Sequence, residues 1–134
     1  MKEQPKNKFE TVMVIDDNIV DLYIASRMIT KNNFGKNVLM YTNAKEALQF
    51  LTENQFDTTA LPQIIFIDIY MPCMSGFKFL SAYNELSESL KSNCKAFIIS
   101  STIDDFDIIR AKSDVNIATF QVKPITKEFL DRIN

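Results

Sequence analysis

The sequence predicts an α/β chain with a parallel sheet and helices on both faces, and three observations predict it. First, Val12-Met13-Val14-Ile15, Ile64-Ile65-Phe66-Ile67 and Ala96-Phe97-Ile98-Ile99 are short apolar runs without polar alternation. Such runs suit strands buried on both faces of a parallel sheet. Second, capped helix-period segments separate the runs, so β and α alternate about five times. Third, these runs and the less apolar Ile117 to Val122 each end in a different polar group: Asp16-Asp17, Asp68, Ser100 and Lys123-Pro124. Ligands of open α/β sheets bind outside the carboxyl ends of the strands, where these groups would converge.

The elements follow in order. Residues 1–9 read as a flexible lead-in and residues 10–134 as one domain. After the first strand, Asn18 or Asp21 can cap a helix over about Ile19 to Asn32, with Leu22, Ile24, Ala25, Met28 and Ile29 as its apolar members. Gly35 is the expected helix terminator. Val38 to Tyr41 is a second, shorter strand. Asn43 caps a helix from about Ala44 to Glu53, with Ala47, Leu48 and Leu51 on one side. Ile64 to Ile67 is the third strand. Pro72 and Gly76 mark a loop, and Ser75 can cap a helix to about Leu86. Ser100 ends the fourth strand, and Asp104 or Asp105 opens a helix to about Lys112. The fifth strand ends near Val122, and Thr126 caps a final helix to the chain end. The second strand is short and the fifth less apolar, which puts both at the edges and the first, third and fourth in the centre.

Composition excludes much. The chain has 134 residues, 46% hydrophobic and 24% charged, with a net charge of −2, so nothing global points to nucleic acid or an anionic membrane. No apolar stretch nears the roughly 18 residues of a membrane span, and no apolar signal core follows the polar N-terminus. A cytoplasmic protein is expected, with Cys73 and Cys94 as free thiols. The chain has no histidine. That removes Ser-His-Asp and Cys-His catalysis, histidine zinc sites and any phosphohistidine carried on this chain. A covalent phosphoryl carrier would have to be something else, most simply a carboxylate.

Asp16-Asp17 alone could be a solvated turn or a cap. Asp68 is harder to dismiss, because it directly follows four apolar residues and must be exposed in a crevice, paired or metal-bound. Two unit charges 4 Å apart repel by roughly 4 kcal/mol at an effective dielectric of about 20, which a divalent cation would relieve. All-oxygen ligation suits Mg²⁺ or Mn²⁺ rather than Zn²⁺. Lys123 sits on the same rim, before a proline whose peptide bond permits a cis turn. Pattern alone leaves the hydroxyl open among Ser100, Ser101 and Thr102. Core packing accounts equally well for Phe120, and core or loop packing is the better reading for Met71, Met74 and Phe77.

From about Thr11 to its C-terminus the chain resembles the receiver domain of two-component response regulators, chemotaxis-type single-domain receivers included. The carriers are Asp16-Asp17-Asn18, Ile65-Phe66-Ile67-Asp68-Ile69-Tyr70-Met71-Pro72-Cys73-Met74-Ser75-Gly76, Ile98-Ile99-Ser100-Ser101, Phe120 and Lys123-Pro124, in this order. The resemblance implies a flavodoxin-like, doubly wound five-stranded parallel sheet of order 2-1-3-4-5. It implies Asp68 as phosphoacceptor from a phosphohistidine on a sensor histidine kinase or histidine phosphotransfer protein. It also implies Mg²⁺ held by Asp17, Asp68 and the Tyr70 backbone carbonyl, with Asp16 acting mainly through metal-bound water. Lys123 and Ser100 would hold phosphoryl oxygens. Ser100 and Phe120 would switch a surface from about residue 103 to 134, read by a downstream protein, with no direct contact to nucleic acid and no membrane insertion. Such a chain is a signalling phosphoacceptor that catalyses its own phosphorylation and slow dephosphorylation, rather than an enzyme with a separate substrate. Phe at the switch position lacks the commoner tyrosine's hydroxyl. Tyr70, bulky and two residues past the phosphoacceptor, is expected to slow hydrolysis of the acyl phosphate.

Two other functions compete. An aspartyl phosphatase or phosphotransferase resembling the haloacid-dehalogenase group would carry Asp-x-Asp on its first strand, where this chain has Asp16-Asp17, and would need a cap domain. A degenerate receiver that binds without taking phosphate would usually lack a site residue, and none is missing. Whether the chain is a stand-alone receiver or an excised domain stays open.

Overall fold

The three central strands carry unbroken apolar runs because alternate residues feed two cores. The structure, a computed structural model, describes residues 6–101, 104–113 and 117–134. Strands β1 (Phe9–Ile15), β2 (Gly35–Tyr41), β3 (Ile64–Asp68), β4 (Lys95–Ser100) and β5 (Ile117–Val122) form one parallel sheet. Its order is β2-β1-β3-β4-β5, the flavodoxin-like arrangement, with β2 and β5 at the edges as expected. Among the described residues, α1 (Ile19–Lys31), α2 (Ala44–Glu53), α3 (Gly76–Tyr83), α4 (Glu88–Asn93) and α5 (Asp105–Lys112) connect the strands, and α6 (Lys127–Asp131) follows the last. Met13, Ile15, Ile65, Ile67, Ala96 and Ile98 face a core closed by α2, α3 and α4. Val12, Val14, Ile64, Phe66, Phe97 and Ile99 face a second core closed by α1 and α6. The apolar runs of β1, β3 and β4 are therefore dry on both faces, and their polar groups sit at the strand ends.

Helix starts follow their caps. The side chains of Asn18, Asn43, Ser75 and Thr126 accept the backbone N–H of Asp21, Lys45, Lys78 and Phe129 respectively. Asn18, not Asp21, is thus the cap of α1. Leu22, Ala25 and Ile29 of that helix are buried, whereas Ile24 is exposed. Met71 and Met74 pack against the first core and Phe77 is buried in it, as their packing reading required. Cys73 and Cys94 are both free.

Four boundaries differ from expectation. The final helix, α6, starts after Thr126 but stops at Asp131 instead of running to the chain end. Gly35 does not terminate α1. The helix ends at Lys31, and Asn33 takes the left-handed conformation with φ of 55°. Gly35 opens β2 because a Cβ there would lie 2.6 Å from Val12 Cγ2. Strand β2 consequently starts three residues before Val38, and its exposed Lys36 and Asn37 are tolerated on an edge. The helix capped by Ser75 stops at Tyr83 instead of Leu86. A further helix, α4, follows, capped by the Ser87 hydroxyl on the Leu90 N–H. That helix has one buried residue, Leu90, so the sequence carries no apolar period to announce it.

Candidate functional site

The carboxyl ends of β1, β3 and β4 bring the sequence-singled residues to one rim. Asp16 follows β1, Asp68 closes β3 and Ser100 closes β4, with Asp68 paired across the sheet to Ile99. Lys123 follows β5, and its N–H donates to the Ser100 carbonyl at 2.9 Å. The peptide bond from Lys123 to Pro124 is cis. Carboxylate oxygens of Asp16, Asp17 and Asp68 all lie within 4.8 Å of one another. Asp16 and Asp68 are buried and Asp17 is exposed.

One ammonium is shared among three of the rim carboxylates. Lys123 Nζ lies 2.6 Å from Asp16 Oδ2, 2.9 Å from Asp68 Oδ2 and 3.0 Å from Asp21 Oδ2. The other oxygens of the buried pair face backbone. Asn18 N–H donates to Asp16 Oδ1 at 2.9 Å, and Tyr70 N–H donates to Asp68 Oδ1 at 3.1 Å. Burial pushes the Asp16 carboxyl above its ordinary range, and hydrogen bonds from Lys123 and Asn18 only partly oppose it. Burial acts to lower the Lys123 pKa. Hydrogen bonds to Asp16, Asp68 and Asp21 outweigh that and hold it above the ordinary lysine value. Four carboxylates around one ammonium leave an excess of negative charge at the rim.

The donor set fits a hard divalent cation. All its side-chain donors are carboxylate oxygens, and they lie within 4.8 Å of one another, so a small closure would bring them to the roughly 3 to 4 Å that cis and trans oxygens span around a six-coordinate Mg²⁺ with bonds of about 2.1 Å. Ser100 adds a second kind of signal. Its Oγ is buried and is the single buried side-chain polar atom among the described residues without a hydrogen-bond partner. Such an atom costs about 1–3 kcal/mol if left unsatisfied. Of the hydroxyls left open by pattern, Ser101 is exposed and Thr102 lies outside the described residues.

Two residues here were not singled out for the site from sequence. Asp21 was read only as a possible cap, yet its carboxylate reaches Lys123 across 102 positions. Asp107, buried on α5, accepts the Tyr70 phenol on Oδ2 at 2.5 Å. The Tyr70 pKa is pushed up to about 12, chiefly by that hydrogen bond. The signal for Asp107 was the spacing Asp104-x-x-Asp107. Asp107 N–H donates to Asp104 Oδ1 at 2.9 Å and Asp104 N–H donates to Asp107 Oδ2 at 3.3 Å, a reciprocal cap on α5. Phe120, the expected switch residue, is partly buried and packs against the first core.

Known proteins share this fold. The pattern of the response regulator receiver domain matches residues 12–133, and the chain belongs to that family. A probable methanogenesis regulatory protein, FilR2, from Methanothrix harundinacea is 26% identical over 121 residues, covering 90% of this chain and 76% of that protein. A response regulator receiver protein from Dyadobacter fermentans superposes with a TM-score of 0.81 at 27% identity, covering 90% of this chain and 91% of that one. A two-component response regulator from Cytophaga hutchinsonii gives a TM-score of 0.85 at 23% identity, covering 93% of each chain. No helix among the described residues is long and apolar enough to cross a membrane.

Proposed function

We propose that Asp68 is the phosphoacceptor of a two-component or phosphorelay system. An Asp68 carboxylate oxygen attacks the phosphorus of a phosphohistidine on a sensor histidine kinase or histidine phosphotransfer protein. An O–P bond forms and the N–P bond breaks. Its electron pair stays on imidazole, a neutral leaving group when the other ring nitrogen is protonated. The reaction needs positioning and charge neutralisation more than acid-base chemistry, which suits a chain without histidine.

The observation that carries this reading is the orphaned Ser100 Oγ at the strand end beside Asp68. A phosphoryl oxygen is the partner it lacks. Lys123, already on Asp68 Oδ2, shifts its ammonium to the same group. Asp17, Asp68 and the Tyr70 carbonyl would hold Mg²⁺ directly, and Asp16 would do so mainly through water. When bound, Mg²⁺ neutralises charge on the carboxylates and the phosphoryl oxygens. Movement of Ser100 toward the phosphoryl group opens room for Phe120 to turn inward. The surface from about 103 to 134 then changes for a downstream protein. Residues 103 and 114–116 of that surface lie outside the described residues.

A protein donor suits the surroundings. Beside the rim, α1 exposes Ile19, Val20 and Tyr23. A cavity of about 200 Å³ lies between Ile24 and Pro124 and reaches Asp16, Asp21 and Lys123. Apolar exposure next to a charged site suits burial against a partner. A cytoplasmic location follows from this role.

Incubation with Mg²⁺ and acetyl phosphate, read by intact mass, tests the proposal. The expected result is one phosphoryl adduct that requires Mg²⁺ and is absent in Asp68→Asn. No adduct, where another receiver is modified, overturns it. Tyr70→Ala is expected to shorten the lifetime of that adduct, and an equal or longer lifetime refutes the shielding role of Tyr70.

A further inference from the structure

The phosphoacceptor and the first turn of α5 are joined through one residue, Tyr70. Tyr70 N–H holds Asp68 Oδ1, while the Tyr70 phenol holds Asp107 Oδ2. Asp107 is buried, and the same Oδ2 also accepts the Asp104 N–H. One carboxylate oxygen thus serves both the helix cap and the phenol. A second tie lies one turn along α5, where the Arg110 guanidinium sits 4.3 Å over the Phe77 ring. Phe77 follows Gly76, whose N–H donates to the Ile69 carbonyl at 2.9 Å. Both ties therefore land on the segment that flanks Asp68.

We propose that Asp107 is a positioning residue whose hydrogen bond to Tyr70 latches α5 to the unphosphorylated site and is released on phosphorylation. The idea rests on Asp68 being the phosphoacceptor and names the contact through which its charge would reach α5. Acyl phosphate formation converts the Asp68 carboxylate, the acceptor of the Tyr70 N–H, into a different group. The Tyr70 carbonyl, which would help hold Mg²⁺, belongs to the same peptide segment. The phenol is carried on that backbone, so its reach to Asp107 depends on the state of Asp68. Added phosphoryl charge also disfavours the carboxylate pair Asp104 and Asp107 near the rim. The bistable element is the α5 turn, held by a cap alone or by a cap plus a phenol.

Amide hydrogen exchange over residues 108–113 measures the latch, with amides of β1 and β3 as internal controls. A hydrogen bond to a charged acceptor predicts exchange over 108–113 at least about tenfold faster in Tyr70→Phe than in the native chain. Saturating beryllofluoride with Mg²⁺ is expected to raise exchange in the native chain by a similar factor and to add little in Tyr70→Phe. Asp107→Ala, which also loses the cap, should be faster still. Unchanged exchange in Tyr70→Phe shows that the phenol does not hold α5 and overturns the proposal. Faster exchange in Tyr70→Phe, with α5 of the native chain unmoved while beryllofluoride protects other site amides, overturns release alone and leaves a structural tie. Beryllofluoride altering no amide anywhere removes the phosphoacceptor reading, and release falls with it.

Discussion

Asp17→Asn should make the metal-free protein more stable and abolish its response to Mg²⁺. The Asp17 carboxylate lies within 4.8 Å of those of both Asp16 and Asp68, and among the described residues no cation lies within ion-pair distance of it. At 4.8 Å a like-charge pair costs about 0.9 kcal/mol in a water-like dielectric and about 3.5 kcal/mol at an effective dielectric near 20. Asp17 is exposed, so the lower figure governs. Lys123, bound to Asp16 and Asp68, cancels about one of the two repulsions. Roughly 1 kcal/mol remains. For a chain of 134 residues that is a rise of about 3–4 °C in Tm. The amide keeps the size of the side chain and, among the described residues, removes no hydrogen bond. Adding free Mg²⁺ at about ten times its Kd should stabilise the native chain by about 1.4 kcal/mol. Thermal and urea unfolding in chelator and in Mg²⁺ should therefore give opposite orders for the two proteins. Added monovalent salt should narrow the gap in chelator. An Asp17→Asn variant no more stable than the native chain in chelator refutes the repulsion argument. An equal gain from Mg²⁺ in both proteins removes Asp17 from the metal site.

Three further outcomes follow from the same rim and core. Gly76→Ala places a Cβ 2.5 Å from the Asp68 carbonyl oxygen and 2.9 Å from Ile69 Cα, both backbone atoms that yield only by moving the end of β3. Overpacking of about 1–3 kcal/mol should exceed the helix gain of about 1 kcal/mol, and phosphorylation should slow; an unchanged unfolding midpoint and rate refute this. Cys73 holds φ at 70°, so Cys73→Gly should raise stability by up to about 1 kcal/mol, and a loss in urea unfolding refutes strain at that turn. Burial pushes the Cys94 thiol up to about 12, so its thiolate grows only as pH approaches that value. Alkylation of the native chain from pH 7 to 9 should modify exposed Cys73 alone, with Cys94 reacting only in denaturant.

What the sequence made legible was local. A strand announces itself by apolar residues in succession, and Asn18, Asn43, Ser75 and Thr126 announce helices because a cap binds an N–H two or three residues on. The rim was legible for a topological reason. Once β1, β3 and β4 are known to be parallel neighbours, Asp16, Asp68 and Ser100 must meet, whatever their side chains do. Two kinds of feature escaped. Gly35 and α4 depend on packing, one on a close approach to Val12 and the other on one buried leucine. Asp21 and Asp107 depend on where side chains of distant segments point, Lys123 in one case and Tyr70 in the other.

The missed residues explain a property that the legible ones leave unresolved. Asp16 and Asp68 crowd one buried corner with a single ammonium, and Asp21 draws on that ammonium as well. Lys123 is therefore shared rather than committed to Asp68. A shared ammonium can follow negative charge from carboxylate to phosphoryl group without leaving a buried partner bare, because Asp21 is partly exposed and water can replace Lys123 there. Asp21→Ala should then tighten Lys123 on Asp16 and Asp68 and weaken Mg²⁺ binding, because the undivided ammonium offsets more of the charge that attracts the metal. Titration of Mg²⁺ by tyrosine fluorescence or unfolding checks it. Tighter Mg²⁺ binding in that variant would show that Asp21 does not hold Lys123 away from the aspartate pair.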